Sequence, residues 1–257
     1  MKRLLYLMLL VGNPSICFAE DKVNPVDLFE AREFKDADGN VLRYRFLIPQ
    51  DYDPSKKYPL VLFLHGAGER GDDNHRQLIH GASDLVRPGM RKQHPAFVVA
   101  PQCPEGKRWV EVPWEADGHS LPESPSEPMT LILKLLETLP KEYSIDADRL
   151  YVTGLSMGGF GTWDLLARKP ELVAAAMPIC GGGDPEHVAR YKDIPIWVAH
   201  GDKDDAVKVD RSREMVDALK SAGGRPIYTE YPGVGHNSWA ATYSNRAVWD
   251  WMFAQKR

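Results

Sequence analysis

The sequence predicts an α/β fold: one domain built on a mostly parallel central sheet with helices on both faces. Three observations predict it. Short and nearly continuous apolar runs recur along the chain, as in strands that are buried on both faces. Segments with apolar residues at helical spacing lie between these runs. The length of 257 residues allows one large domain or two small ones, and the alternation runs from residue 28 onwards, with a departure at residues 105–126.

The N-terminus predicts a secretory signal peptide over residues 1–19, which read MKRLLYLMLLVGNPSICFA. Lys2 and Arg3 precede an apolar run that Gly12 ends, and small residues lie near the expected cleavage point after Ala19. The run is shorter than the about 20 apolar residues that cross a membrane. We therefore expect residues 20–257 to be exported, to a periplasm or out of the cell, with no stable membrane anchor after cleavage.

The exported part is predicted to begin with a β-hairpin, residues 29–35 and 41–48, around a turn rich in Asp, Gly and Asn. Further strands are predicted at residues 60–64, 97–100, 150–153, 174–179, 196–199 and 227–231. Helices are predicted at residues 128–139 and 210–222, from about residue 159, and at 244–255. Residues 105–126 are polar and long for a connection, which predicts a surface loop beside the site.

Composition excludes several classes of function. Asp and Glu number 36 against 32 Lys and Arg, and no basic run is present, so nothing indicates nucleic-acid binding. The sequence has no HExxH, CxxC or phosphate-binding glycine motif, and we expect neither a metal nor an organic cofactor. After removal of residues 1–19, the cysteines are Cys103 and Cys180. They follow strands that we expect to lie apart in the sheet, which favours two free thiols.

A nucleophile is predicted at residues 154–158, GLSMG, which match G-x-S-x-G. The motif follows a predicted strand and precedes a predicted helix, and in this context the pentapeptide indicates a nucleophilic serine. A serine that projects its hydroxyl above the sheet lies on a strained turn, and flanking glycines remove side chains that would clash there. Ser156 is the expected nucleophile.

The base is expected at His236, because it lies in a glycine-flanked loop after the strand at 227–231 and the base follows the acid in chain order. His65 and His200 each end a strand as His-Gly, and we interpret both as structural. The acid is expected just past the strand at 196–199. Asp202, Asp204 and Asp205 all lie there, and spacing alone does not choose among them.

Five segments together resemble the α/β-hydrolase superfamily, in particular the phospholipase/carboxylesterase and polyhydroxybutyrate-depolymerase-like esterases, some of which are named predicted peptidases. The resemblance covers about residues 30–255. It implies that Asp204 is the acid, with Asp202 and Asp205 as alternates, and that the backbone N–H groups of Ala67 and Met157 form an oxyanion hole. The segments are residues 64–71 (LHGAGERG), 101–104 (PQCP), 154–159 (GLSMGG), 200–204 (HGDKD) and 235–236 (GH).

The predicted function is that of an exported serine carboxylesterase, which hydrolyses short-chain or aryl- or sugar-linked esters through an acyl-enzyme. We expect Trp239, Trp109 and Trp114 to line the substrate pocket, and Glu69 and Arg70 to form a structural ion pair. A serine peptidase of the prolyl-oligopeptidase type and a non-catalytic hydrolase-fold binding protein are the alternatives. The partner is a small-molecule ester, and the sequence does not reveal the oligomeric state.

Overall fold

The central sheet contains eight strands within residues 24–257, the part of the chain that the computed structural model describes. Their order across the sheet is β1-β2-β4-β3-β5-β6-β7-β8. The pairs β1–β2 and β2–β4 are antiparallel and the other pairs are parallel. The strands are β1 (Glu30–Lys35), β2 (Val41–Leu47), β3 (Tyr58–Leu64), β4 (Phe97–Pro101), β5 (Ile145–Leu155), β6 (Val173–Ile179), β7 (Trp197–Gly201) and β8 (Ile227–Tyr231).

Helices cover both faces of this sheet. Helices α4, α5 and α6 contribute apolar residues to one buried cluster, whereas α2, α3, α7 and α8 contribute to a second. Alternate residues of β3 belong to the two clusters, since Leu62 lies in the first and Phe63 in the second. The helices are α1 (Pro25–Leu28), α2 (Ala82–Leu85), α3 (Pro88–Gln93), α4 (Glu127–Glu142), α5 (Met157–Arg168), α6 (Asp210–Ser221), α7 (Ser238–Ser244) and α8 (Arg246–Phe253).

The predicted fold class is confirmed: the sheet is mostly parallel, helices lie on both faces, and the N-terminal hairpin is present as β1 and β2. The short helices α2, α3 and α7 were not predicted. Helices of four to seven residues offer too few turns for an apolar period to be recognised.

Residues 102–126 contain no strand and no α-helix, as expected for a loop, yet part of this segment packs inward. Trp109, Val110 and Val112 are buried. The outer part is held by arginine side chains. Arg168 donates to the carbonyl oxygen of Pro122 at 2.7 Å. These contacts hold the segment against the α5 side of the molecule, so it is not a loose surface loop.

Two further predictions are the N-terminal signal peptide and the two free thiols. The signal peptide expected at residues 1–19 lies outside the described residues. Across residues 24–257, no helix has the length and apolar character needed to cross a bilayer. Cys103 and Cys180 are buried and not disulfide-bonded within that range. The two free thiols agree with the prediction, because β3 and β5 separate β4 from β6 in the sheet.

Candidate active site

The site lies where the carboxyl ends of neighbouring parallel strands meet at one edge of the sheet. The register aligns these ends: Leu64 lies beside Gly154, and Ile179 lies beside both Leu155 and Ala199. Loops that leave β5, β7 and β8 therefore begin close together in space although they are far apart in the sequence. This is the edge at which open parallel sheets bind their ligands.

Ser156 occupies a sharp turn between β5 and α5. Its φ of 53° is in the left-handed region, which residues other than glycine rarely adopt, so the turn is strained. The turn also requires glycine on either side. A Cβ on Gly154 would lie 2.3 Å from the carbonyl oxygen of Gly158, and a Cβ on Gly158 would lie 1.9 Å from that of Leu64. The glycines of the GLSMG motif thus let the turn pack directly onto β3.

His236 joins the serine to an acid. Its Nε2 lies 2.9 Å from Ser156 Oγ, and its Nδ1 lies 2.7 Å from Asp204 Oδ2. A carboxylate only accepts hydrogen bonds, so Nδ1 carries the proton and the neutral ring accepts at Nε2 from the serine hydroxyl. The ring is 23% exposed, which leaves it reachable from solvent.

Asp204 is the aspartate that contacts His236. Asp202 accepts instead from the backbone N–H of Gly233 at 2.6 Å, and Asp205 is exposed. Burial by itself would raise the pKa of Asp204. Hydrogen bonds from His200, from His236 and from the backbone N–H of Val207 outweigh burial and hold that pKa well below its ordinary range. The carboxylate is therefore ionised at neutral pH.

His200 is a second imidazole on the same carboxylate oxygen, and the sequence analysis missed this contact. Its Nε2 lies 3.0 Å from Asp204 Oδ2, and its Nδ1 lies 2.8 Å from the hydroxyl of Ser212. The side chain is completely buried. The expectation that His200 is merely structural is therefore incomplete, because it contacts the same carboxylate as His236. The spacing of four residues between His200 and Asp204 was the sequence signal that could have indicated this contact.

The two expected oxyanion donors belong to segments next to the Ser156 turn. Met157 is the first residue of α5, so its N–H has no acceptor within the helix. The loop that follows β3 lies close to this turn, since a Cβ on Gly66 would lie 2.9 Å from the side chain of Leu155. Ala67 is the next residue of that loop, and its carbonyl oxygen accepts from Arg70 at 2.9 Å.

The expected ion pair between Glu69 and Arg70 is not formed. Arg70 donates to the backbone of Ala67 and of Lys107, and Glu69 lies 3.7 Å from His80 instead. Adjacent residues on a short 3₁₀ turn direct their side chains apart, which is why the pair does not close.

Trp109 does not line the site, and its assignment to substrate binding is wrong. The side chain is completely buried, and its Nε1 donates to the carbonyl oxygen of His65 at 3.0 Å. It packs edge-on against the His65 ring at 5.0 Å. A tryptophan with its polar atom satisfied in the core supports the loop after β3 and is not available to a substrate.

Trp239 and Trp114 remain partly exposed. The ring of Trp239 stands perpendicular to the His236 imidazole, with 5.2 Å between the centroids. Trp114 packs under the guanidinium of Arg108 at 4.2 Å, and beside a small apolar cluster that contains Phe160 and Val207. Trp239 therefore presents an aromatic ring next to His236. Trp114 borders the apolar cluster of Phe160 and Val207, which follow Ser156 and Asp204 in the sequence.

Comparison with known proteins identifies the family of this chain. Residues 52–245 match the phospholipase/carboxylesterase family. A crystal structure of a thermostable esterase superposes with a TM-score of 0.85 at 45% identity, over 91% of this chain and 64% of that one.

Two curated relatives are more distant. A bifunctional acetylxylan esterase/xylanase from Neocallimastix patriciarum is 27% identical over 58% of this chain. A probable feruloyl esterase C from Aspergillus niger is 24% identical over 79% of this chain and 70% of its own length. The chain spans only 20% to 24% of the length of two of the curated relatives that it matches. The family match and the fold together lead to one conclusion: this chain belongs to the phospholipase/carboxylesterase family of α/β-hydrolases, whose members hydrolyse carboxylic esters.

Proposed function

We propose that the protein is an exported serine carboxylesterase that acts on short-chain esters, or on esters that link an acyl group to an aryl or sugar alcohol. The observation that carries the proposal is the hydrogen-bonded series Ser156–His236–Asp204, with distances of 2.9 and 2.7 Å. A serine hydroxyl is a weak nucleophile without an adjacent base, and this series supplies one.

In the first half of the reaction, Ser156 Oγ attacks the ester carbonyl carbon while its proton passes to Nε2 of His236. The Asp204 carboxylate stabilises the imidazolium that forms. The tetrahedral intermediate expels the alcohol, which takes the proton from His236, and an acyl-enzyme remains. Water, activated by the same imidazole, then attacks the acyl carbon and releases the acid and Ser156.

The developing oxyanion is stabilised by the backbone N–H groups of Ala67 and Met157. The N-terminus of α5 adds the positive end of a helix dipole at the same point. Arg70 keeps the Ala67 loop in place through the carbonyl oxygen of that residue. Loss of one oxyanion donor typically lowers turnover by about 10²–10³-fold.

His200 acts as a positioning residue through Asp204. Oδ1 of Asp204 accepts the backbone N–H groups of Ala206 and Val207, both at 2.9 Å, and Oδ2 accepts from His200 and His236. Four donors leave the carboxylate one orientation, in which Oδ2 faces the Nδ1–H of His236. The tautomer of the base is thereby set before substrate arrives.

The substrate class follows from the exposed surface beside the base. Trp239 offers a flat aromatic face next to His236, and aryl rings and sugar rings both pack on such faces. Two relatives, named as an acetylxylan esterase and a feruloyl esterase, are named for esters of these kinds. Export rests on the predicted signal peptide at residues 1–19.

The test is a panel of p-nitrophenyl esters from acetate to decanoate, with a chromogenic dipeptide amide beside it. We expect short esters to be hydrolysed and the amide to be left intact. Ser156→Ala should lower kcat by about 10⁶-fold and leave thermal unfolding almost unchanged, because no buried volume is lost. Ser124→Ala, an exposed serine in the 105–126 segment, is the matched control and should retain full turnover.

Two results would overturn the proposal. Hydrolysis of the dipeptide amide at a rate similar to that of the esters would favour the serine peptidase. Ester turnover that persists in folded Ser156→Ala protein would place the reaction elsewhere.

A further inference from the structure

A thiol that ester hydrolysis does not use lies beside the proposed triad. Cys180 directly follows β6, is completely buried, and has a φ of 40°. Its Sγ, a carboxylate oxygen of Asp204 and a ring nitrogen of His236 all lie within 4.8 Å of one another. Three side chains of different chemistry therefore converge on one point next to Ser156.

We infer that Cys180, Asp204 and His236 form an inhibitory binding site for a soft or borderline divalent cation, of which Zn²⁺ and Cd²⁺ are examples. Thiolate, imidazole and carboxylate are the donors that such ions select. Bonds of about 2.0–2.3 Å to a tetrahedral ion place its donors about 3.5 Å apart. Donors already within 4.8 Å need to move by only about 1 Å.

Two neighbouring groups favour a charged sulfur at this point. The backbone N–H of Ser156, which donates to the carbonyl oxygen of Ile179 at 2.9 Å, lies close enough to the thiol to lower its pKa. The hydroxyl of Ser238 also lies near enough to the thiol to lower its pKa, is completely buried, and has no hydrogen-bond partner within residues 24–257. Ser238 is therefore an unused polar group that can stabilise the thiolate or approach the ion as a further ligand.

Binding of the ion would disable the base by changing its tautomer. The Cys180 thiol releases its proton to solvent, and the bond from the ion to Nδ1 of His236 replaces the Nδ1–H bond to Asp204. The ring remains neutral by carrying its proton on Nε2. That nitrogen then donates towards Ser156 and no longer accepts the proton of the hydroxyl. Atoms and charges balance with one proton released for each ion bound.

The donor set also predicts selectivity and pH dependence. Mg²⁺ and Ca²⁺ require six or more oxygen ligands and find only one carboxylate here, so they should not inhibit. One proton is released for each ion bound, so inhibition should strengthen as the pH rises.

The experiment measures Cd²⁺ binding and inhibition separately in the full exported chain. Binding is followed by the ultraviolet charge-transfer absorption of a cadmium thiolate, in wild type and in Ser156→Ala, whose missing hydroxyl is not a ligand. Inhibition is followed with a p-nitrophenyl ester, and each variant is compared with its own rate before the ion is added. Because the absorption does not depend on turnover, a failure of the proposed esterase function would not hide a success or failure of the site.

Cys180→Ala is the test variant, and Cys103→Ala is the matched control. Cys103 is an equally buried thiol that follows β4, away from the triad. We expect Cys180→Ala to lose the absorption and to need at least about tenfold more Cd²⁺ for half-inhibition. Cys103→Ala should behave as wild type. Cys180→Ser, which keeps the side-chain size and removes the soft donor, replaces the alanine variant if the latter fails to fold.

Three outcomes would overturn the inference. They are absence of the absorption from wild type at Cd²⁺ concentrations that inhibit, persistence of the absorption in folded Cys180 variants, and inhibition by Mg²⁺ as strong as that by Cd²⁺. Loss of both absorption and inhibition in Cys103→Ala alone would assign the site to the other thiol.

Discussion

Two strands of the sheet end in the same dipeptide, His-Gly, but the two histidines make different contacts. His65-Gly66 follows β3, and His200-Gly201 ends β7. Both imidazoles are buried. His65 accepts the backbone N–H of Cys103 at 2.9 Å, whereas His200 donates to the Asp204 carboxylate at 3.0 Å. One histidine joins two stretches of backbone, and the other holds a charged side chain.

The environment of each ring explains the difference. Burial lowers the pKa of His65 to about 4, so this ring stays neutral and serves as a hydrogen-bonded part of the core. His200 faces a carboxylate that also contacts the base. The same His-Gly dipeptide at equivalent places in the fold therefore supports the loop after β3, which we propose to supply an oxyanion donor, in one case, and Asp204, the proposed acid, in the other.

In this comparison the largest effect on turnover is expected when the Asp204 carboxylate is removed, which His200 contacts and His65 does not. Asp204→Asn should lower kcat by about 10⁴-fold, because an amide can donate to His236 and so stabilise the wrong tautomer. The measurement is steady-state ester hydrolysis. Asp205→Asn, its exposed neighbour, is the control and should retain nearly full activity. A crippled Asp202→Asn beside a mild Asp204→Asn would assign the acid to Asp202.

Removing His200 itself should have an intermediate effect on turnover. His200→Leu takes one donor from Asp204, and we expect kcat to fall on the order of 10²-fold with KM almost unchanged, as when a catalytic group shifts by about 1 Å. His200→Gln can still donate to the carboxylate and should recover much of this loss. Equal losses in the two variants, or a change confined to KM, would contradict a positioning role.

The smallest effect on turnover is expected at His65, where stability changes instead. Unfolded chains protonate this residue below about pH 6.5 and the folded protein only near 4, so stability is lost as the pH falls through that window. The loss from this residue amounts to about 3 kcal/mol. His65→Gln keeps an acceptor for the Cys103 N–H but does not titrate.

Urea denaturation of both proteins between pH 7 and pH 4 measures the difference. The stability of the variant should fall less steeply, whereas kcat at neutral pH should stay close to that of wild type. Burial also lowers the pKa of His119 to about 4, but His119 is present in both proteins and does not affect the comparison. Parallel stability curves would show that His65 is not the residue that titrates.

Local sequence determined much of the fold and part of the site. Apolar runs of four to six residues predicted strands β3 to β7, because a strand that is buried on both faces carries apolar residues at nearly every position. The GLSMG motif predicted the turn at Ser156, because only glycine fits at 154 and 158. Short helices such as α7 escaped prediction, since their existence depends on packing against the sheet and not on their own periodicity.

Tertiary structure alone decided the contacts between distant residues. Spacing left three aspartates as candidates for the acid, and only the fold brings Asp204 to 2.7 Å from His236. The burial of Trp109, the second imidazole on Asp204 and the approach of Cys180 to the triad likewise depend on strands that are far apart in the chain. A linear pattern records what each segment prefers locally, whereas the register of a parallel sheet determines which segment ends become neighbours.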